Sequence, residues 1–250
     1  MAPIFGHEKL TVYRKGMDFA AMRGELLGRV PRRVAACDHL YRGAESILVN
    51  IAHASNSWAP NERIVRLGDA NGSALECAAC LDVLVAKRLL ADTDVYPGKR
   101  LLSEIVSMLI AMRKTTANRV CEEHDLYRTE KDRLFSHEDL EVYQTALRLT
   151  CWVESLSTAF SCSADLLSKL DTSTTSIVLN LAEGNGRFSG ADHAKFLGIA
   201  YRATVHSAAL IDLATANSSL GLSQIEDGRE MLHCIATMLT SLAKVVSHDS

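Results

Sequence analysis

Apolar residues recur every three or four positions in four stretches of the first half of the chain, near 8 to 29, 33 to 54, 60 to 91 and 98 to 118. The same four stretches return 130 residues later. Stripes of that period are the buried faces of amphipathic helices. Four such helices joined by short loops hide their stripes most simply by antiparallel packing into a bundle. The pattern therefore predicts an all-α protein of two tandem antiparallel four-helix bundles. Local punctuation fits helix ends at these places. Ala182-Glu183-Gly184-Asn185-Gly186 predicts a helix finished by glycine in a left-handed cap. Ser189, three residues before Asp192, predicts the start of the next helix, Ser223 before Glu226 that of the last, and Pro60 followed by Glu62 a proline in a first turn.

The offset is a duplication. Phe5-Gly-His-Glu-Lys-Leu-Thr-Val-Tyr13 falls on Phe135-Ser-His-Glu-Asp-Leu-Glu-Val-Tyr143, and Ser46-Ile-Leu-Val-Asn-Ile-Ala52 falls on Ser176-Ile-Val-Leu-Asn-Leu-Ala182. About 26 identities occur over roughly 110 ungapped positions, too many at one fixed offset for chance. The chain divides into a first bundle over 1–118, a charged linker over 119–134 and a second bundle over 135–250.

Composition narrows the class without changing the fold. The chain has 250 residues, 48% of them hydrophobic, with only 4 prolines and 14 glycines, which favours packed helices over disorder or many short strands. No run reaches the roughly 18 apolar residues of a membrane span, and the polar start lacks a signal-peptide core, so a cytoplasmic protein with no membrane partner is expected. The 7 cysteines read as reduced, small apolar side chains.

At Asn180-Leu-Ala-Glu-Gly-Asn-Gly-Arg187, followed by Asp192-His-Ala-Lys-Phe-Leu-Gly-Ile-Ala200, the chain resembles the bacterial four-helix-bundle family named for intervening sequences of 23S rRNA. The starts Glu8-Lys-Leu-Thr-Val-Tyr13 and Glu138-Asp-Leu-Glu-Val-Tyr143 are similar to that family's start. Its relatives include the accessory variability proteins of diversity-generating retroelements, ring-forming bundles that bind a reverse transcriptase and its RNA. The resemblance thus implies a homo-oligomer, a partner protein such as a reverse transcriptase, and RNA. The copies depart from the family pattern in complementary places. Copy two has Glu183, Gly184, Gly186 and Arg187 where copy one has His53, Ala54, Asn56 and Ser57; copy one has Gly72-Ser-Ala-Leu-Glu76 where copy two has Arg202, Ala203 and His206. A joint partner-binding surface built from Glu76 of one copy and the Glu183/Arg187 corner of the other is therefore expected.

Catalytic chemistry finds little support. Asn50, Asn180, Asp82 and Asp212 sit in apolar helices and are preserved across the repeat. They read as structural hydrogen-bonders to neighbouring helices, an Asn-to-Asp contact within each bundle being an open alternative. Cys77 and Cys80 have redox spacing but lie within a helix, with Ser207 and Leu210 at the matching places. Glu230 and His233 form one Glu-x-x-His, and a bundle di-iron site needs two. The histidines show no other ligand cluster, His7 and His137 reading as residues near the start of each copy's first helix. No metal, no cofactor and no enzymatic activity are expected.

Charge adds one lead. Residues 1–120 hold 17 Lys and Arg against 12 Asp and Glu, and residues 121–250 hold 10 against 18. Arg29, Arg32, Arg33 and Arg42 cluster about the first interhelical turn, and Lys87, Arg88, Lys99 and Arg100 flank the third. Such groups can neutralise phosphates, and they are the candidate nucleic-acid-binding set. The functional expectation is a non-enzymatic accessory scaffold; the alternative is a purely structural, self-assembling protein in which basic and acidic copies of neighbouring subunits meet.

Overall fold

The computed structural model describes residues 5–57, 59–118, 134–159, 164–187, 189–216 and 222–248. Eight helices occupy them: α1 (Thr11–Leu27), α2 (Ala35–Asn56), α3 (Pro60–Ala86), α4 (Asp92–Asn118), α5 (Glu141–Ala159), α6 (Ala164–Asn185), α7 (Gly190–Ala216) and α8 (Leu222–His248). Short 3-10 turns, Gly6–Lys9 and Ser136–Asp139, precede α1 and α5. No strand occurs among the described residues. In each copy consecutive helices pack together and the first closes on the fourth, giving two four-helix units. The expected linker, apart from Leu134, lies outside the described residues.

Helix starts follow local chemistry. Pro60 takes the first position of α3, where a missing N–H removes no intrahelical bond. The Ser189 hydroxyl accepts the Asp192 amide at 3.2 Å and opens α7. Two expectations at helix ends need correction. Helix α4 begins at Asp92 rather than beyond Pro97, so the proline sits inside it. Helix α8 begins at Leu222, placing Ser223 inside rather than before it. The glycines that close α6 also differ from expectation, since no described glycine has positive φ. Their reason is space. A Cβ on Gly184 would stand 3.0 Å from the Cβ of Phe196, and one on Gly186 only 1.8 Å from the Cδ1 of Leu75. The left-handed cap instead falls on Arg88 (φ 58°), where the Leu89 amide reaches back to the Leu84 carbonyl at 3.0 Å and ends α3.

The preserved asparagines bond along their own helix, not across to a neighbour. Asn50 donates to the Ser46 carbonyl at 2.9 Å, and Asn180 to that of Ser176 at 2.7 Å. Neither reaches an aspartate, which removes the Asn-to-Asp alternative.

The buried apolar side chains form one continuous core through both copies. Helix α3 is the reason. It buries Leu67, Ala70, Ala74 and Leu81, all within its own bundle's apolar stripe, and also Asn71, Gly72, Leu75, Ala79 and Val83. It packs against α5 and α6 of the second copy as well as α2 and α4 of its own. Small residues, among them Ala70, Gly72, Ala74, Ala78 and Ala79, let helices approach α3 from two sides.

Candidate functional site at the junction of the copies

Both copies contribute ionisable groups to their junction. At one end of the bundles the α1–α2 turn, the end of α3 and the start of α6 converge. The Lys87 side chain is fully buried there, its Nζ 2.7 Å from Asp171 and 3.3 Å from Glu154. Asp171 also accepts the Ala35 amide at 2.8 Å, so a carboxylate of copy two satisfies an open donor at the start of α2 in copy one.

About one turn before the end of α3, Lys99 of α4 bridges two carboxylates, Asp82 at 2.6 Å and Glu138 of copy two at 2.5 Å. The Tyr143 hydroxyl donates to the other Asp82 oxygen at 2.8 Å. His137 lies against Phe135 and Tyr143, ring centroids 5.5 and 4.8 Å away, and neither of its ring nitrogens has a hydrogen-bond partner. Burial, assisted by the Lys99 charge, pushes the imidazole pKa down to about 3, so the ring is neutral at physiological pH. Burial alone would lower the Lys99 pKa, but Asp82 and Glu138 more than offset it and hold the ammonium above its ordinary value. Burial, with the Asp82 charge beside it, keeps the Tyr143 phenol protonated.

Asp82, His137 and Glu138 place three ligand-type atoms within 4.8 Å of one another, a grouping the sequence reading did not find. The position a metal would take between the two carboxylates is filled by the Lys99 ammonium. Asp82, Lys99 and Glu138 form a buried ion cluster, with the unpaired His137 ring beside it.

The third contact sits at the far end of α6. Arg187, two residues past the end of α6, pairs with Glu183 in that helix's last turn and with Asp69 of α3 at 3.4 Å, and its guanidinium lies 4.7 Å from the Phe196 ring. The Asn71 amide donates to the Gly186 carbonyl at 3.1 Å. Burial raises the Glu183 pKa, Arg187 opposes the rise and the Glu76 charge adds to it. Glu76 itself is held by His39 Nδ1 at 2.8 Å. Of the three residues expected to share a surface, Glu183 and Arg187 meet the first copy at the junction, and Glu76 is near enough for its charge to act on Glu183 while its own bond goes to His39.

A family model described as 23S rRNA-intervening sequence protein matches the chain twice, over residues 8–111 and 138–241. The chain belongs to that family. As a tandem 23S rRNA-intervening sequence protein it holds two family units, and each match begins at the His-Glu turn or directly after its histidine and ends within the fourth helix. No curated protein and no solved structure matches it.

In this family member the basic candidates separate into two groups. Lys87 and Lys99 face inward at the junction, which corrects their assignment to a phosphate-binding surface. The cause is that each finds two carboxylates of the same chain at ion-pair distance. The others stay at the surface. Arg32 and Arg33 are exposed in the α1–α2 turn, and Arg88 is exposed at the end of α3. Arg29 makes a two-pronged pair with Asp94 at 2.8 and 3.2 Å, Arg42 pairs with Asp38 at 3.0 Å, and Arg100 lies 3.7 Å from Glu104. In an antiparallel bundle the α1–α2 and α3–α4 turns share one end, so Arg29, Arg32, Arg33 and Arg88 gather there, while Arg42 and Arg100 lie on the flanks.

Residues missed by sequence reading are the acidic and aromatic half of the junction: Glu154, Asp171, His137, Glu138 and Tyr143. A usable signal existed for three of them, since His7, Glu8 and Tyr13 repeat as His137, Glu138 and Tyr143. The buried thiols of Cys77 and Cys80 are held protonated, first by burial and then by nearby Glu76 and Cys77, which gives no support to thiolate chemistry. No described helix is long and apolar enough to cross a membrane.

Proposed function

We propose that this chain is a non-enzymatic helical scaffold that engages a structured RNA through the basic end of its first bundle. It would hold a protein partner on the same body, a reverse transcriptase by the family resemblance. One observation carries the reading: Arg29, Arg32, Arg33 and Arg88 crowd one bundle end, and copy two has Ala159, Cys162, Ser163 and Ser218 at the corresponding positions. Guanidinium groups of Arg32, Arg33 and Arg88 on turns can reach the phosphates of an RNA helix without reading its bases. The family name, which refers to an intervening sequence of 23S rRNA, is in keeping with an RNA-linked role.

The test is fluorescence anisotropy with a labelled RNA hairpin across a salt series. Binding is expected at low salt and should weaken as salt rises, because a few displaced counterions make log K fall linearly with log salt. Arg32→Glu with Arg33→Glu should weaken binding at least tenfold and flatten that slope. Absence of binding at low salt, or binding indifferent to the double substitution, would overturn the reading.

A further inference from the structure

The ion cluster near the end of α3 is chemically incomplete. Lys99 stands 2.6 Å from Asp82 and 2.5 Å from Glu138, so these three groups together carry one net negative charge. Their side chains are only 14, 14 and 8% exposed, and a charge held there is poorly hydrated. Beside them lies His137, fully buried, with neither ring nitrogen in a hydrogen bond. A neutral imidazole keeps a lone pair on one nitrogen, and a buried one is normally given a donor. What the ring meets instead is acid: a His137 nitrogen and one oxygen each of Asp82 and Glu138 lie within 4.8 Å of one another.

We propose that Asp82, His137 and Glu138 form a binding site for a divalent transition-metal ion of the zinc class, and that Lys99 is its exchangeable placeholder.

The donor set selects the ion. One imidazole nitrogen with two carboxylate oxygens suits zinc and its neighbours, whereas magnesium and calcium take oxygen ligands. Three protein ligands leave the fourth corner of a tetrahedron to water. Ligand atoms about 2.1 Å from such an ion stand about 3.4 Å apart, so the three have to draw in by at most about 1.4 Å, which side-chain rotation can supply. One ligand is already oriented. The Tyr143 hydroxyl donates to one Asp82 oxygen at 2.8 Å and leaves the other, now facing Lys99, for the ion.

Charge and access favour the exchange. A dication in place of the ammonium cancels both carboxylates and gives the His137 nitrogen a partner. The two lysines of the junction differ in this respect: the Lys87 side chain is sealed at 0% exposure, whereas that of Lys99 reaches solvent at 14%. Its flexible four-carbon stem lets the head group turn outward while the backbone stays in place. The ammonium keeps its proton, so binding trades one cation for another.

The site needs both copies. Asp82 comes from α3 of copy one, and His137 and Glu138 come from the 3-10 turn of copy two. Among the described residues no other group of His, Cys, Asp and Glu brings three ligand atoms this close. A bound ion would therefore tie the first turn of the second bundle to the third helix of the first.

This inference is independent of RNA binding, and its test uses no nucleic acid. The full chain, stripped with a chelator, is titrated with Co2+, whose visible absorption reports the ligation that d10 zinc hides. One ion per chain should bind, and Zn2+ should bleach the band. Lys99→Met should bind at least about tenfold tighter and melt higher with Zn2+ than without it. His137→Phe and the isosteric Glu138→Gln should each bind at least about tenfold more weakly. Circular dichroism checks each fold, and Glu138→Gln decides the matter if His137→Phe does not fold. His233→Ala with Cys234→Ser removes exposed donors on α8 and should bind as wild type does. A wild-type chain without the band overturns the inference even if Lys99→Met shows one, because Lys99 would then be a permanent occupant. A band undiminished by either ligand substitution, or lost with the α8 pair, places the ion elsewhere and also overturns it.

Discussion

Replacing Lys87 with Met removes the ammonium held between Asp171 and Glu154 while keeping a side chain of similar reach. Lys87 is fully buried and holds Asp171 at 2.7 Å and Glu154 at 3.3 Å. At such separations an ion pair with an effective dielectric near 20 is worth roughly 5 to 6 kcal/mol before desolvation. Breaking a buried pair from one side costs about 3 to 5 kcal/mol, because the remaining charge stays where water reaches it poorly. Domains are stable by only about 5 to 15 kcal/mol, so a large fraction of that margin is at stake. At about 2 to 4 °C per kcal/mol for a chain of this size, the melting temperature should fall by about 10 °C. Because Asp171 also satisfies the Ala35 amide, the loss should act on both copies together and calorimetry should show one lowered transition. Adding Asp171→Asn leaves an acceptor for that amide and removes the more buried of the two stranded charges, Glu154 being the more exposed, so the double variant should regain a large part of the loss. A Lys87→Met chain melting within about 2 °C of wild type would refute the reasoning. So would a lowered transition confined to one bundle.

Gly186→Asn should destabilise by about 2 kcal/mol in urea unfolding, since its Cβ would overlap Leu75, and Leu75→Val in the same chain should recover much of it. No recovery would show that Leu75 is not what limits the space at Gly186. Arg88→Gly should raise stability by about 1 kcal/mol by relieving an L-residue of its left-handed φ of 58°; an unchanged urea midpoint would show that the cap carries no such cost. For His137, the folded pKa near 3 lies below the ordinary 6.5, so the unfolded chain binds the extra proton between those values and wild type loses stability as pH falls through that window. His137→Phe lacks this loss, and the wild-type minus variant difference should move by about 1 kcal/mol per pH unit between pH 6 and 4. Parallel pH profiles would show a protonated or solvated ring.

Helix number, order and approximate ends were legible because each helix carries a complete apolar stripe. The duplication was legible because both copies solve the same packing problem. The start of α4 was not, since Pro97 reads as a boundary, whereas it is the sixth residue of the helix and only removes one backbone bond there. Gly184 and Gly186 resemble a helix cap in the sequence, which shows a residue's conformational freedom but not what stands over it; Leu75 and Phe196 are the reason they are glycine. Lys87 and Lys99 look like surface charge in the sequence because nothing local distinguishes a buried lysine from an exposed one. Their partners Asp171 and Glu138 come from the other copy, and long-range pairing leaves no periodic trace. The Glu76, Glu183 and Arg187 proximity could be foreseen only from the complementary departures of the copies.

Hydroxyl-radical footprinting of the chain at high dilution tests the head-to-tail junction most directly, because every junction residue has a counterpart in the other copy as an internal control. The junction predicts slow oxidation of Phe135, Leu75 and Tyr143 beside fast oxidation of Phe5, Val205 and Tyr13. Equal rates within these pairs would contradict it.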